Sequence, residues 1–129
     1  MNNEQRKYLT QWIVKAEEDL LVVQQLMSSE IPVKGAVAYH CQQSAEKFLK
    51  AFMLFHDCEI PRTHNIEFLL EQCAKIDRSF SMIEPGNLTD YGLELRYSGD
   101  FLEPSLTELE TMISIVKDIR ELTLGKLKL

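Results

Sequence analysis

Apolar side chains recur at steps of three and four almost from the start of the chain. Leu9, Trp12, Ile13, Ala16, Leu20, Val23, Leu26 and Met27 fall on one stripe of a helix. Ser28-Ser29-Glu30, followed by Pro32, ends it. A second run of Val33, Ala36, Val37, Cys41, Ser44, Ala45, Phe48, Leu49, Phe52 and Phe55 keeps the same period over about six turns. Its middle is small on one face (Cys41, Ser44, Ala45), which lets another helix approach closely. Glu46 and Lys50 stand four apart, the favourable orientation for an exposed ion pair.

His56-Asp57-Cys58-Glu59-Ile60-Pro61 interrupts the pattern. Thr63 is then expected to cap a third helix, with His64 in its first turn and Ile66, Leu69, Leu70 and Cys73 facing inward. Glu84-Pro85-Gly86-Asn87 reads as a turn, Leu88 to Tyr97 as a short helix, and Ser98-Gly99-Asp100 as another break. Ser105-Leu106-Thr107-Glu108 is a capping box just after Pro104. The last helix follows with Leu106, Leu109, Met112, Ile113, Val116, Ile119 and Leu122. Hairpin signals, glycine-rich phosphate loops and repeats are absent from the sequence. The pattern predicts an all-α, up-and-down bundle of four long helices plus a short one, with residues 1–129 as a single domain.

Composition narrows the class. Apolar residues at 45% and charged residues at 26% exclude collagen-like, disordered and disulfide-scaffold chains. No apolar run, Leu20–Val23 and Ala51–Phe55 included, approaches a membrane span, and the polar start Met1 to Lys7 lacks the core of a secretory signal. A cytoplasmic protein without membrane attachment is the expectation.

The net charge of −6 is uneven: −2 over residues 1–60, −6 over 61–116 and +2 over 117–129. No basic stripe draws nucleic acid from a distance, so any RNA binding needs a local site or a partner. The basic end, Lys117 to Lys128, is explained by the negative pole of a helix C-terminus. Cys41, Cys58 and Cys73 have no zinc-ligand spacing and read as small buried hydrophobes. His40, His56 and His64 form no HExxH motif, so neither a metal nor another cofactor is expected.

Specific motifs go further than periodicity. The second helix carries Tyr39-His40-Cys41-Gln42-Gln43-Ser44-Ala45-Glu46-Lys47-Phe48-Leu49-Lys50-Ala51. Pro61-Arg62-Thr63-His64-Asn65-Ile66 follows, and later Tyr91 and Arg96-Tyr97. In this order the motifs resemble the HEPN domain family, with its QQxxEKxLKA helix, tHxL helix start and RYP-like segment. The likeness runs from Trp12, Ala16, Asp19 and Leu20 to the final helix. It implies a helical bundle, a homodimer, a minimal nucleotidyltransferase as partner and, in many members, metal-independent RNA cleavage.

The cleaving members place a histidine four to six residues after an arginine. None of Arg6, Arg62, Arg78, Arg96 or Arg120 is so followed, Phe101 stands where a tyrosine variant would put its ring, and Ser98 replaces the proline of RYP.

The candidate nucleotide- or RNA-binding residues are therefore Arg96, Tyr97, Gln43, Glu46, Lys47 and His64. Arg96 can clamp a phosphate and stabilise developing charge, and Tyr97 can stack or donate. The plainer alternative has Arg96 paired with a carboxylate such as Glu46 and Tyr97 packed on the end of the bundle. His64 can act near neutrality as an acid, base or phosphate contact, or simply fix its loop. Gln43, Glu46 and Lys47 lie within just over one turn and can line a polar groove, or serve as ordinary surface groups. His40 reads as a packed or interface residue.

Three functions compete. The first is a nucleotide- or RNA-binding accessory subunit beside a nucleotidyltransferase, in a toxin–antitoxin-type system. The second is an endoribonuclease with a non-standard site using Arg96 with His64 or Tyr97. The third is a dimeric interaction module without ligand.

Overall fold

The computed structural model describes residues 1–31, 33–91 and 103–127. Within them the chain is helical: α1 (Asn3–Met27), α2 (Lys34–Phe55), α3 (Ile66–Ile76) and α4 (Leu106–Lys126), with 3-10 turns at Arg78–Met82 and Leu88–Tyr91. No strand occurs among the described residues. Three helices are long, whereas α3 has 11 residues instead of the expected long run. The short helix expected over Leu88 to Tyr97 is a 3-10 turn through Tyr91, and its remainder lies outside the described residues.

Local signals fix the ends. Asn2 and Gln5 form a reciprocal capping box at α1, and Ser105 and Glu108 form the expected one at α4. The cap of α3 is Asn65 rather than Thr63: its side chain accepts from Phe68 N at 2.8 Å. Thr63 Oγ1 instead accepts from Asn65 N at 3.1 Å, shaping the turn one step earlier. His64 therefore precedes α3 and is not in its first turn. At the end of α2, Asp57 takes φ 61°, the left-handed conformation that stops a helix.

The second helix is the centre. α1, α3 and α4 all pack on it, and its buried residues include Val37, Cys41, Ala45, Phe48, Leu49, Phe52 and Met53. The expected small face is used: Ser44 Oγ donates to the Ala16 carbonyl of α1 at 2.9 Å, a distance open only to closely approached helices. Phe52 meets Phe80 of the first 3-10 turn with ring centroids 4.5 Å apart. Phe48 and Phe52 thus belong to the core, and Phe55 at the helix end is half-buried.

Burial pushes the thiols of Cys41 and Cys73 up to about 12, with Cys58 adding a smaller upward push on Cys73. They act as small apolar fillers, as expected.

At the surface, Asp77 ties α4 to the turn after α3. Its carboxylate accepts from Ser79 N at 2.9 Å and pairs with Lys126 Nζ at 3.0 Å. The bonds from Ser79, and then Lys126, hold its pKa down at about 2. A depressed carboxylate stabilises above its unfolded pKa of about 3.9 and loses that contribution as pH falls toward the folded value. Asp77→Asn should therefore lower the melting temperature at pH 7, and its penalty should vanish between about pH 4 and pH 2. A penalty independent of pH would assign the effect to packing.

Thr123, fully buried in α4, holds the one buried side-chain polar atom without a partner among the described residues. Thr123→Val should raise unfolding stability by about 1 kcal/mol in urea titrations, because it removes an unsatisfied hydroxyl.

Candidate functional site

Two carboxylates organise the polar residues of α2. Each binds one imidazole and one ammonium. Glu46 lies on α2 with a relative exposure of 5%. Its Oε2 accepts from Lys50 Nζ at 2.9 Å, and its Oε1 accepts from His64 Nδ1 at 2.7 Å and from Gln42 Nε2 at 3.1 Å. Asp19, from α1, accepts from His40 Nδ1 at 2.8 Å through Oδ1 and from Lys47 Nζ at 2.6 Å through Oδ2.

The Glu46–Lys50 pair is not the exposed surface pair expected from the four-residue spacing. Both side chains are 7% exposed. Helical spacing gives adjacency but not burial, and the loop before α3 closes over this part of α2 through His64. Gln42, fully buried, locks that loop by donating from Nε2 to the His64 carbonyl at 2.8 Å. Gln43 Nε2 donates in turn to Gln42 Oε1 at 2.6 Å.

The bonding pattern fixes the chemistry of the imidazoles. A carboxylate paired with a lysine is ionised and can only accept, so Nδ1 of His64 and of His40 must be the donor. That leaves Nε2 of each ring uncommitted by these bonds, as a base or ligand contact when neutral and a donor when protonated. The side chain of His64 is 43% exposed and that of His40 29%.

Of the six sequence-predicted residues, Glu46 and His64 are bonded directly, Gln43 joins them through Gln42, and Lys47 pairs instead with Asp19. Arg96 and Tyr97 lie outside the described residues. Glu46, named from sequence as a carboxylate that Arg96 could pair with, accepts among the described residues from Lys50 at Oε2 and from His64 and Gln42 at Oε1. Sequence reasoning missed Asp19, His40 and Lys50 as members of the cluster. A signal existed for Asp19, a carboxylate set between Ala16, Leu20 and Val23 on the apolar stripe of α1. Nothing in the spacing of His40 disclosed its partner, which lies on another helix.

Elsewhere, a cleft of about 470 Å³ runs between α1 and α4, lined by Glu17, Leu20, Leu21, Gln24, Lys117 and Arg120, among others. Arg120 crosses it to Glu17 in a two-pronged pair, Nε to Oε1 at 2.5 Å and Nη2 to Oε2 at 2.9 Å. Among the described residues no group of three or more His, Cys, Asp or Glu side chains is placed to hold a metal. None of their helices is long and apolar enough to cross a membrane.

The chain is thus an all-α bundle whose central helix carries a carboxylate-anchored QQxxEKxLK segment. A family model for the HEPN domain matches residues 9–127, and the chain belongs to that family. Membership brings a nucleotide- or RNA-related function at the level of the family, whose domains often dimerise. No curated protein and no solved structure matches the chain.

Removing Glu46 leaves Lys50 buried without its counter-charge. Glu46→Ala should destabilise the fold by about 3–5 kcal/mol in denaturant titrations. The double variant Glu46→Met with Lys50→Met should cost clearly less than the single one, because it removes both charges. Equal costs would mean that Glu46 acts mainly through His64 and Gln42.

Proposed function

We propose that this protein is a nucleotide- or RNA-binding accessory subunit, acting as a homodimer with a minimal nucleotidyltransferase in a cytoplasmic toxin–antitoxin-type system. The domain spans residues 1–129, and its ligand contacts are His64, Gln43, Lys47 and Glu46, with Arg96 and Tyr97 completing the set. The observation that carries the reading is the His64 imidazole. It is held at Nδ1 by a buried carboxylate, with Nε2 turned to no partner among the described residues and the side chain partly exposed. Family membership supplies the ligand class.

The same imidazole favours one second reading. A carboxylate-fixed imidazole is equipped for proton transfer, so His64 with Arg96 or Tyr97 would cleave RNA without metal, even though no arginine stands at the family's spacing from a histidine.

Thermal unfolding with added nucleotides and short RNAs separates these from an interaction module without ligand. A ligand at 100 times its Kd should stabilise the protein by about 2.7 kcal/mol, and His64→Ala should abolish that shift. Co-expression with a minimal nucleotidyltransferase from the same locus should yield a stable complex. Metal-free loss of labelled RNA that disappears in His64→Ala and Arg96→Ala would establish the nuclease. Neither ligand shift, complex nor cleavage would overturn both ligand-based readings.

A further inference from the structure

The end of α2 puts a thiol where a helix stop ordinarily carries an apolar side chain. Asp57 takes φ 61°, its N–H donates to the Leu54 carbonyl at 3.0 Å, and Cys58 N donates to the Met53 carbonyl at 3.0 Å. This pair of bonds is the Schellman stop, which folds the side chain after the left-handed residue back against the last turns of its own helix. The returning side chain is Cys58, half-buried against the core cluster that holds Leu49, Met53 and Cys73.

A second thiol reaches the same part of α2 from α3. Cys73 Sγ donates to the Leu49 carbonyl at 3.5 Å. Leu49 and Met53 are four residues apart, so their carbonyls lie in one row, about 6 Å apart along the helix. Cys58 is tied by its backbone to one of them and Cys73 by its sulfur to the other. A disulfide joins α-carbons about 4.4–6.8 Å apart, so anchors at this spacing suit one. Cys58 also adds to the upward push on the Cys73 thiol, as a neighbouring sulfur does. Both are free thiols, Cys73 fully buried and Cys58 half-buried.

We propose that Cys58 and Cys73 form a redox-sensitive latch, which a low-molecular-weight disulfide such as glutathione disulfide closes by joining them across the connection between α2 and α3. Cys58, the accessible thiol, reacts first. As the thiolate it attacks one sulfur of glutathione disulfide, forms a mixed disulfide and releases one glutathione, which takes up a proton. Cys73 then gives its proton to solvent, attacks the Cys58 sulfur and releases the second glutathione, which is protonated in turn. Two protein thiols and one glutathione disulfide become one protein disulfide and two molecules of glutathione, so the two electrons leave with glutathione. Burial, which holds Cys73 as the thiol, makes the second step the slower one.

The bridge closes a short loop that contains Thr63, His64, Asn65 and the start of α3. In the thiol form this connection is held to α2 by the bonds of His64 to Glu46 and Gln42. The disulfide adds a covalent hold on both sides of those bonds. Openings that would lift His64 from Glu46 are then suppressed, because the loop ends can no longer separate. The latch is independent of which ligand the His64 site takes.

The test incubates the full, reduced chain with glutathione disulfide, blocks the remaining thiols with iodoacetamide in denaturant and maps the peptides by mass spectrometry. A Cys58–Cys73 linked peptide from monomeric protein is expected, with Cys41 alkylated. The bridged protein should melt about 5–10 °C higher than the reduced one, dithiothreitol should reverse the shift, and amide exchange at His64 and Asn65 should slow. Cys58→Ser, with its own melting temperature checked, should show neither the bridge nor the shift. A lasting glutathione adduct on Cys58 with Cys73 free, a link between two copies of Cys58, or no reaction of either thiol would overturn the inference. So would a bridged protein whose His64 and Asn65 amides exchange as fast as before. None of these outcomes bears on nucleotide binding.

Discussion

A carboxylate inside a helical bundle is costly unless every one of its oxygens is satisfied. Glu46 meets that demand with three bonds, and each recruits a different stretch of chain. Lys50 comes from the next turn of α2, Gln42 from the preceding turn, and His64 from the loop that leads into α3. Gln42 doubles the last link through the His64 carbonyl. Once His64 is pinned, Asn65 follows as the cap, and Ile66, Leu69 and Cys73 are delivered to the core. One acidic side chain thereby sets both where the third helix begins and how an imidazole is presented.

The central helix can hold such a group because it divides its circumference. Phe48, Phe52, Cys41 and Ala45 face the core, while Ser44 brings α1 close enough for a side chain to reach the Ala16 carbonyl. That closeness also brings Asp19 within reach of both His40 and Lys47. Packing and polar chemistry are consequently one arrangement: the small residues that permit the approach of α1 also create the second carboxylate-held imidazole.

The sequence made much of the architecture legible. Periodic apolar positions gave α1, α2 and α4, and the Ser105–Glu108 box marked the start of α4 correctly. Those signals are local, and local physics produces them. The cap of α3 went to Asn65 because two neighbouring residues, Thr63 and Asn65, are both competent caps, and the choice falls to tertiary bonds that hold His64 and Ile66 from Glu46, Gln42 and Thr89. Part of the polar cluster was legible for the same reason: Gln43, Glu46 and Lys47 share one helix. Burial of Lys50, and the pairing of His40 with Asp19 across 21 positions, depend on how helices meet and leave no local trace.

The attachment of α1 carries a consequence for how the molecule opens. Among the described residues its broad packing is against α2 alone, supplemented by the Asp19 bonds and by Arg120 reaching Glu17 across the cleft. α2, by contrast, is enclosed by three helices. Free energies of local opening follow such differences in enclosure, so α2 opens last, and an opening of α1 leaves α2 and α3 packed together. Departure of α1 removes Asp19 from His40 and Lys47 but leaves Glu46, Lys50, Gln42 and His64 assembled. The two imidazoles, alike in the closed molecule, therefore belong to different layers of its unfolding: one is built into the innermost shell, and the other exists only while the outer helix stays in place.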